Sequence, residues 1–349
     1  MIISQLNFEK LVFKPELLLQ VKHKELFFPL HATVSLTNYC NHKCLWCTVY
    51  EYQQDKAKYF ETDKLIGYIK NANKHGLAAV TYVGNGEPVL HPDFKKITEE
   101  FGECDIEQGI FTNGSKLREL TSLYLKYFSF VRFSLDAFDN DSHKNSHGVE
   151  GQFEPIIKEI KDMTKEKKKI KSDTQIGIQY VFHNVNYQGL YQIAEIAKNA
   201  EVDYLSFKPA FNRGAIFVRG TKNKLTLDEI YNDIARAKIE FEDDDFKIFF
   251  REFQIKSIDK NILKYKNCYA GLFNILIYED ESIIYCGPKR IKIGSINDDP
   301  LKTMHEINEN HLKISLQNCP GGCRYHSLNR LMFLLLNPEK RKFFNENFI

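Results

Sequence analysis

The sequence predicts an α/β protein: a partial (β/α)6, TIM-like barrel followed by a small C-terminal α+β domain. Three observations carry that expectation. Six short β-type runs alternate with helix-type segments from residue 32 onward, the gaps between runs are long enough for crossover helices, and the rhythm changes beyond residue 240.

In chain order, residues 1–31 read as a leader that packs on the barrel. The six strands are expected at "ATVSLTN" (32–38), "AAVTYVG" (78–84), "EQGIFTN" (107–113), "FVRFSLD" (130–136), "TQIGIQYVF" (174–182) and "VDYLSFKP" (202–209). Within 151–163, Phe153, Ile156, Ile157, Ile160 and Met163 recur at helical spacing and form one apolar face. Parallel strands need a crossover, usually a helix. Such crossovers are right-handed, so six units curl toward a barrel spanning 32–240. The segments "FKIFF" and "FNILIYEDESIIYCG" and a final helix make up the smaller domain, 241–349, which holds four of the eight cysteines.

A net charge of +2, 43% hydrophobic residues and 27% charged residues describe an ordinary globular chain and give no support to a nucleic-acid or membrane partner. The basic run "KEKKKIK" (165–171) reads as a solvated helix end. "MIISQLNFEKLVFKPELLLQV" lacks a signal-peptide pattern, and the longest apolar run, "LMFLLL" (331–336), is too short to span a membrane and reads as a buried turn-and-a-half of helix. A cytoplasmic location is expected. Thiols stay reduced there, so eight cysteines argue for metal ligation or catalysis rather than disulfides.

The loop "YCNHKCLWC" places Cys40, Cys44 and Cys47 directly after the first strand. Three thiolates suit either zinc, with His42 in the loop as a fourth ligand, or a four-iron cluster with one iron left open. With Trp46 just before the last cysteine, this motif resembles that of the radical S-adenosylmethionine (SAM) superfamily. Further segments match in order: "VGNGEPVLHP" (83–92), with Asn85 where the family has the first glycine of a pair, "FTNGS" (111–115), "RFSLDA" (132–137) and "FKPA" (207–210). The resemblance covers roughly residues 30–215. It implies that Cys40, Cys44 and Cys47 hold a [4Fe–4S] cluster whose open iron is chelated by SAM. Gly86 and Glu87 would receive the methionyl amine, Pro88 would fix the turn, Ser134 and Asp136 would face the ribose or carboxylate, and Asn113 and Trp46 would line the SAM site. Reductive cleavage of SAM would then yield methionine and a 5′-deoxyadenosyl radical, with an electron donor such as flavodoxin or ferredoxin as partner.

Cys268 and Cys286 flank two short strands joined by an acidic turn at Glu279–Ser282, and "CPGGC" brings Cys319 and Cys323 together. By local spacing, zinc and iron–sulfur both fit four thiolates. The arrangement resembles the twitch domain, a shortened SPASM extension of radical SAM enzymes, and so implies a second, auxiliary [4Fe–4S] cluster. Glu281 stands where that family has a glycine, which bears on the turn more than on the ligands.

Cys104 is left over and reads as a structural thiol, which speaks against an epimerase that quenches its substrate with cysteine. Lys208, Arg213 and Arg219 follow or end the sixth strand and suit a phosphate or carboxylate. Gln179, Tyr180 and Asn184 are further cavity candidates from the fifth strand and its end. The resulting expectation is a radical SAM oxidoreductase that dehydrogenates a small polar, sugar-like molecule, with the auxiliary cluster accepting electrons. Peptide maturation and sugar epimerisation are the enzymatic alternatives, and a zinc-stabilised interaction protein the non-enzymatic one. Peptide maturases often carry a peptide-binding domain ahead of the barrel, for which a 31-residue leader is short.

Overall fold

The structure, a computed structural model, describes residues 8–53, 56–210, 227–252, 254–255, 265, 267–310, 316, 319 and 323–337. All six expected runs are strands: β1 His31–Val34, β2 Ala79–Tyr82, β3 Glu107–Thr112, β4 Phe128–Ser134, β5 Gln175–Phe182 and β6 Tyr204–Pro209. They pair in chain order and in parallel. Their crossovers contain α2 Thr62–Asn73, α3 Phe94–Gly102, α4 Leu117–Tyr127, α5 Asn140–His147, α6 Phe153–Ile170 and α7 Leu190–Asn199, and α1 Pro15–His23 precedes the barrel with Leu17 and Val21 buried.

The 241–349 segment extends this sheet at both edges. β7 Lys247–Phe250, reached through α8 Leu227–Phe241, adds in parallel to β6. At the other edge β8 Asn274–Ile277 pairs in parallel with β1. β9 Ser282–Cys286 and β10 Ile291–Ser295 follow in antiparallel fashion, giving the order β10-β9-β8-β1-β2-β3-β4-β5-β6-β7. The β8–β9 turn closes with the Glu281 N–H donating to the Tyr278 carbonyl, and Glu281 then adopts φ 67°, the left-handed conformation that a glycine takes without strain. A non-glycine residue therefore holds the left-handed position of this turn.

The helices bury the faces their periodicity predicts. On α6, Phe153, Ile156, Ile160 and Met163 are buried and Ile157 is half-buried. The lysine run is less solvated than its composition suggests, because half-buried Lys167 donates to both carboxylate oxygens of Asp203 at 2.6 and 2.7 Å. No described helix is long and apolar enough to cross a membrane.

Register decides which side chains share the barrel interior. Arg132, Gly177 and Tyr204 form one row, and the Tyr204 ring fills the space where a Gly177 Cβ would stand, 2.1 Å from its nearest atom. Ser134, Gln179, Ser206 and Phe249 form the next row. Lys208 lies one row higher, and Arg251 follows β7 at that level, its N–H donating to the Phe207 carbonyl at 3.2 Å. Tyr180 corrects an expectation. With a strand period of two, Gln179 points inward and Tyr180 outward. Tyr180 is buried against Phe207 on the helix side, and its hydroxyl donates to the Asn186 carbonyl at 2.6 Å.

Candidate functional site

The cysteine loop leaves the carboxyl end of β1 and docks on the C-terminus of α5. Lys43 N–H donates to the His147 carbonyl at 2.8 Å and Leu45 N–H to the Ser146 carbonyl at 2.9 Å, so two of the helix's last carbonyls are satisfied by the loop. Asp139 starts α5 with a reciprocal capping box to Ser142, which sets the phase that turns His143 and His147 toward the loop.

Burial and then the charges of Asp136, Cys40 and Cys47 all oppose ionisation of Cys44. Burial pushes the Cys40 thiol up to about 12, with the Glu87 charge adding to it, and pushes Cys44 well above the usual thiol range. Such thiols ionise when a cation coordinates them. Each sulfur also has a nitrogen donor beside it. The Asn113 side chain and the His42 N–H (3.5 Å) serve Cys40, His147 Nδ1 lies 3.4 Å from Cys44, and Gln53 Nε2 lies 3.6 Å from Cys47.

His42, Cys44 and His147 bring their ligand atoms within 4.8 Å of one another, so a zinc reading needs a direct answer. The answer lies in the tautomer of His147. Its Nε2 faces the Asp136 backbone N–H at 3.0 Å, and that donor has no alternative orientation. Nε2 is therefore the acceptor, and Nδ1 carries the proton that points at His42 Nδ1 (3.3 Å) and Cys44. A metal-binding Nδ1 would set two N–H groups head to head at Nε2. The arrangement fits a thiolate-ligated cluster with His147 as hydrogen-bond donor, not a His–Cys zinc site.

The SAM-motif residues gather around this loop. A Cβ on Gly86 would stand 2.1 Å from the Tyr39 carbonyl oxygen and 2.7 Å from that of Thr37, so only glycine lets the "GNGEP" turn lie against the cysteine loop. Pro88 opens a 3-10 turn, and the Glu87 N–H donates to the Tyr39 carbonyl at 2.9 Å. The Glu87 carboxylate is buried and accepts from Thr112 Oγ1 (2.7 Å) and the Asn113 N–H (2.8 Å), which ties the motif to the end of β3. Ser134 ends β4, half-buried. Asp136 is buried, and both its oxygens meet protein donors: Val181 N–H at 2.6 Å and Trp46 Nε1 at 3.0 Å. Trp46 also packs on His183, ring centroids 3.9 Å apart.

Asn85, the departure from the family's paired glycines, has a structural partner in the C-terminal hairpin. Its amide donates to Glu279 Oε1 (2.8 Å), its carbonyl oxygen accepts from Arg290 (2.7 Å), and Ser35 Oγ donates to Glu279 Oε2 (2.8 Å). The Arg290 guanidinium stacks over Tyr52 of the cysteine loop at 3.8 Å and over Tyr278 at 4.1 Å. Restoring the family residue with Asn85→Gly removes a donor from a buried carboxylate. The expected cost is roughly 2–3 kcal/mol of stability, read as a lower urea midpoint at unchanged slope.

The second cysteine set also converges. Cys268 is buried, the other three are half-buried, and Cys286 is pushed up to about 12 by burial and then by Cys268, Cys323 and Cys319. Asn329 Nδ2 lies 3.6 Å from the Cys268 sulfur. Of the remaining candidates, Lys208 and Gln179 face the barrel interior, Asn184 lies half-buried in the loop after β5, and Arg213 and Arg219 lie outside the described residues. Cys104 follows α3 and is half-buried against the core.

Buried titratable groups set the acid response of the metal-free chain. Burial lowers His31 and His183 to about 3, His42 to about 4 and His147 well below its usual range, and raises Glu87 and Asp136 to about 7. Near pH 5.5 the unfolded chain carries about four extra protons on these histidines, whereas the folded chain carries about two on the carboxyls. The histidines prevail. Stability should rise from pH 4 to 6, on the order of 2 kcal/mol per pH unit, and flatten toward pH 6.5, in urea unfolding across that range.

Three cysteines on the first loop of a parallel barrel, each beside a nitrogen donor at the carboxyl end of the strands, make a ligand set that would suit an iron–sulfur cluster in a barrel enzyme. Residues 34–197 match the family described as the Radical SAM superfamily, so this part of the chain is similar to a radical SAM domain. The chain is 25% identical over 337 residues to the "Antilisterial bacteriocin subtilosin biosynthesis protein AlbA" of Bacillus subtilis (strain 168), covering 87% of this chain and 69% of that one. It is 23% identical over 312 residues to the "Sporulation killing factor maturation protein SkfB" of the same organism, covering 84% and 69%. In fold it is similar to the crystal structure of Streptococcus suis SuiB bound to precursor peptide SuiA, with TM-score 0.63 and 18% identity over 87% of this chain and 71% of that one. The family's cofactors are SAM and a [4Fe–4S] cluster.

Proposed function

We propose that this radical SAM enzyme modifies a peptide, with the SAM-binding [4Fe–4S] cluster on Cys40, Cys44 and Cys47 and an auxiliary cluster on Cys268, Cys286, Cys319 and Cys323 in a twitch/SPASM-like extension. The observation that carries the peptide reading is the reach of the likeness to AlbA and SkfB. It covers 87% and 84% of the chain, well beyond residues 34–197 and so into the extension. Bacteriocin biosynthesis and killing-factor maturation, the roles those relatives are named for, favour the peptide alternative over dehydrogenation of a sugar-like molecule.

When bound, SAM and its cluster supply hydrogen-atom abstraction from an unactivated C–H bond. The chain's own residues do the positioning. Asn113, His147 and Gln53 direct N–H groups at the three sulfurs, Gly86 permits the close approach of the SAM loop, and Asp136 fixes Trp46 and the end of β4 against β5. Arg290 and Asn85 lock the auxiliary hairpin onto that loop. An electron donor of the flavodoxin or ferredoxin kind would reduce the enzyme.

The reading is tested by anaerobic co-expression with short peptides encoded beside the gene, followed by mass spectrometry. A mass change in a peptide that requires Cys44 supports it. Unchanged peptides together with oxidation of a sugar alcohol would overturn it. Cys286→Ser should lower iron from about eight to about four per chain and abolish peptide modification. Slow SAM cleavage without substrate should persist, which separates the roles of the two clusters.

A further inference from the structure

We infer that the barrel interior binds a carboxylate of the peptide substrate, from an acidic side chain or a free C-terminus, through Lys208 and Arg251 on neighbouring strands. The inference deepens the peptide reading and rests on it.

Lys208, Arg251 and Arg132 share the inward side of β4, β6 and β7, and the charge of Arg324 also acts on the first two. Lys208 and Arg251 sit side by side, since β6 and β7 pair through Phe207 and Phe250 and each strand's next residue is one of these cations. Arg324 arrives from the segment after Cys323. It donates to the Tyr325 hydroxyl, and that hydroxyl accepts from Asn274 (2.7 Å), which stands opposite His31 at the start of β1. Arg132 lies below, fully buried, with Nε donating to the Tyr204 hydroxyl at 3.0 Å and its guanidinium 4.7 Å from the Phe111 ring centre. Lys208, Arg251 and Arg324 are each half-buried as residues.

The electrostatics agree with this placement. Burial and then the charges of Arg251 and Arg324 lower Lys208 to about 8, while burial, Arg132 and Arg324 lower Arg251 to about 10. Like charges held together out of water oppose one another, at a cost that an arriving anion relieves. Among the described residues, the carboxylate that acts on Lys208 is Asp136, whose oxygens already receive Val181 and Trp46. An arginine fork beside a lysine suits the planar carboxylate of a peptide. Peptides carry such groups without prior modification, whereas a phosphate would have to be installed first.

The test uses the anaerobically reconstituted full chain with SAM bound. Isothermal titration would compare four ligand types: Ac-Ala-Glu-Ala-NH2, its glutamine counterpart, Ac-Ala-Ala-Ala-OH, and the non-peptide anions glutarate and inorganic phosphate. The glutamate peptide or the free-acid peptide should bind at least about tenfold more tightly than the glutamine peptide, and whichever of the two leads identifies the source of the carboxylate. Lys208→Met and Arg251→Gln should reduce that preference to under about threefold while iron stays near eight per chain, and Lys208→Arg should retain it. Equal affinity for the glutamate and glutamine peptides, or tighter binding of phosphate than of any carboxylate, would overturn the inference and leave the peptide reading standing. Glutarate binding as tightly as both carboxylate peptides would also overturn it, since the peptide would then add nothing to recognition of the anion.

Discussion

Replacing Cys44 with serine is expected to reduce SAM cleavage to the level of the iron-free chain and to remove about four irons per molecule. The effect should be this large because the loop offers three thiolates and no protein substitute. A serine hydroxyl does not ionise beside a cluster as a thiol does, and His147, whose protonated Nδ1 lies 3.4 Å from the sulfur, is oriented as a donor. Cys104→Ser is the control. That thiol lies after α3, half-buried against the core, and its replacement should leave iron content and SAM cleavage unchanged. Equal loss in both variants would indicate general misfolding rather than a specific cluster ligand.

Asp136→Ala should be the most damaging change outside the cysteines. It leaves the Val181 N–H and the Trp46 indole N–H without their acceptor, at roughly 1–3 kcal/mol for each buried donor. It also frees Trp46, which Asp136 and His183 hold over the cysteine loop, and loosens the junction of β4 and β5 beside Ser134. SAM affinity should fall by about tenfold or more, with iron content preserved, in anaerobic titration of the reconstituted enzyme. Asp136→Asn should be intermediate, since an amide oxygen can replace one of the two acceptors but its NH2 then faces the other donor.

The barrel was legible in the sequence because each strand is a short apolar run and each crossover a periodic helix, both local signals. The places of the added strands were not. β7 and β8 are four residues each, and their places beside β6 and β1 depend on pairings between segments far apart in the chain. The cysteine loop was plain from spacing alone, whereas His147 lies about a hundred residues from its sulfur. A signal for it did exist: His143 and His147 stand four apart in "NDSHKNSH", on one side of a helix. Strand alternation also held information that was passed over. Adjacent residues such as Gln179 and Tyr180 cannot both face one cavity, and the register assigns the interior to Gln179. Asn85 looked like a defect in a motif until Glu279 and Arg290, about two hundred residues later, turned out to be its partners. Arg251 carries no motif and becomes an interior residue only through sheet order.

The most direct measurement of the central claim is product analysis after anaerobic reconstitution and reduction with dithionite. The account predicts that SAM is converted to equal amounts of methionine and 5′-deoxyadenosine, and that the variant lacking Cys40, Cys44 and Cys47 forms neither. Intact SAM in the presence of a full iron complement, or release of S-adenosylhomocysteine without 5′-deoxyadenosine, would contradict it.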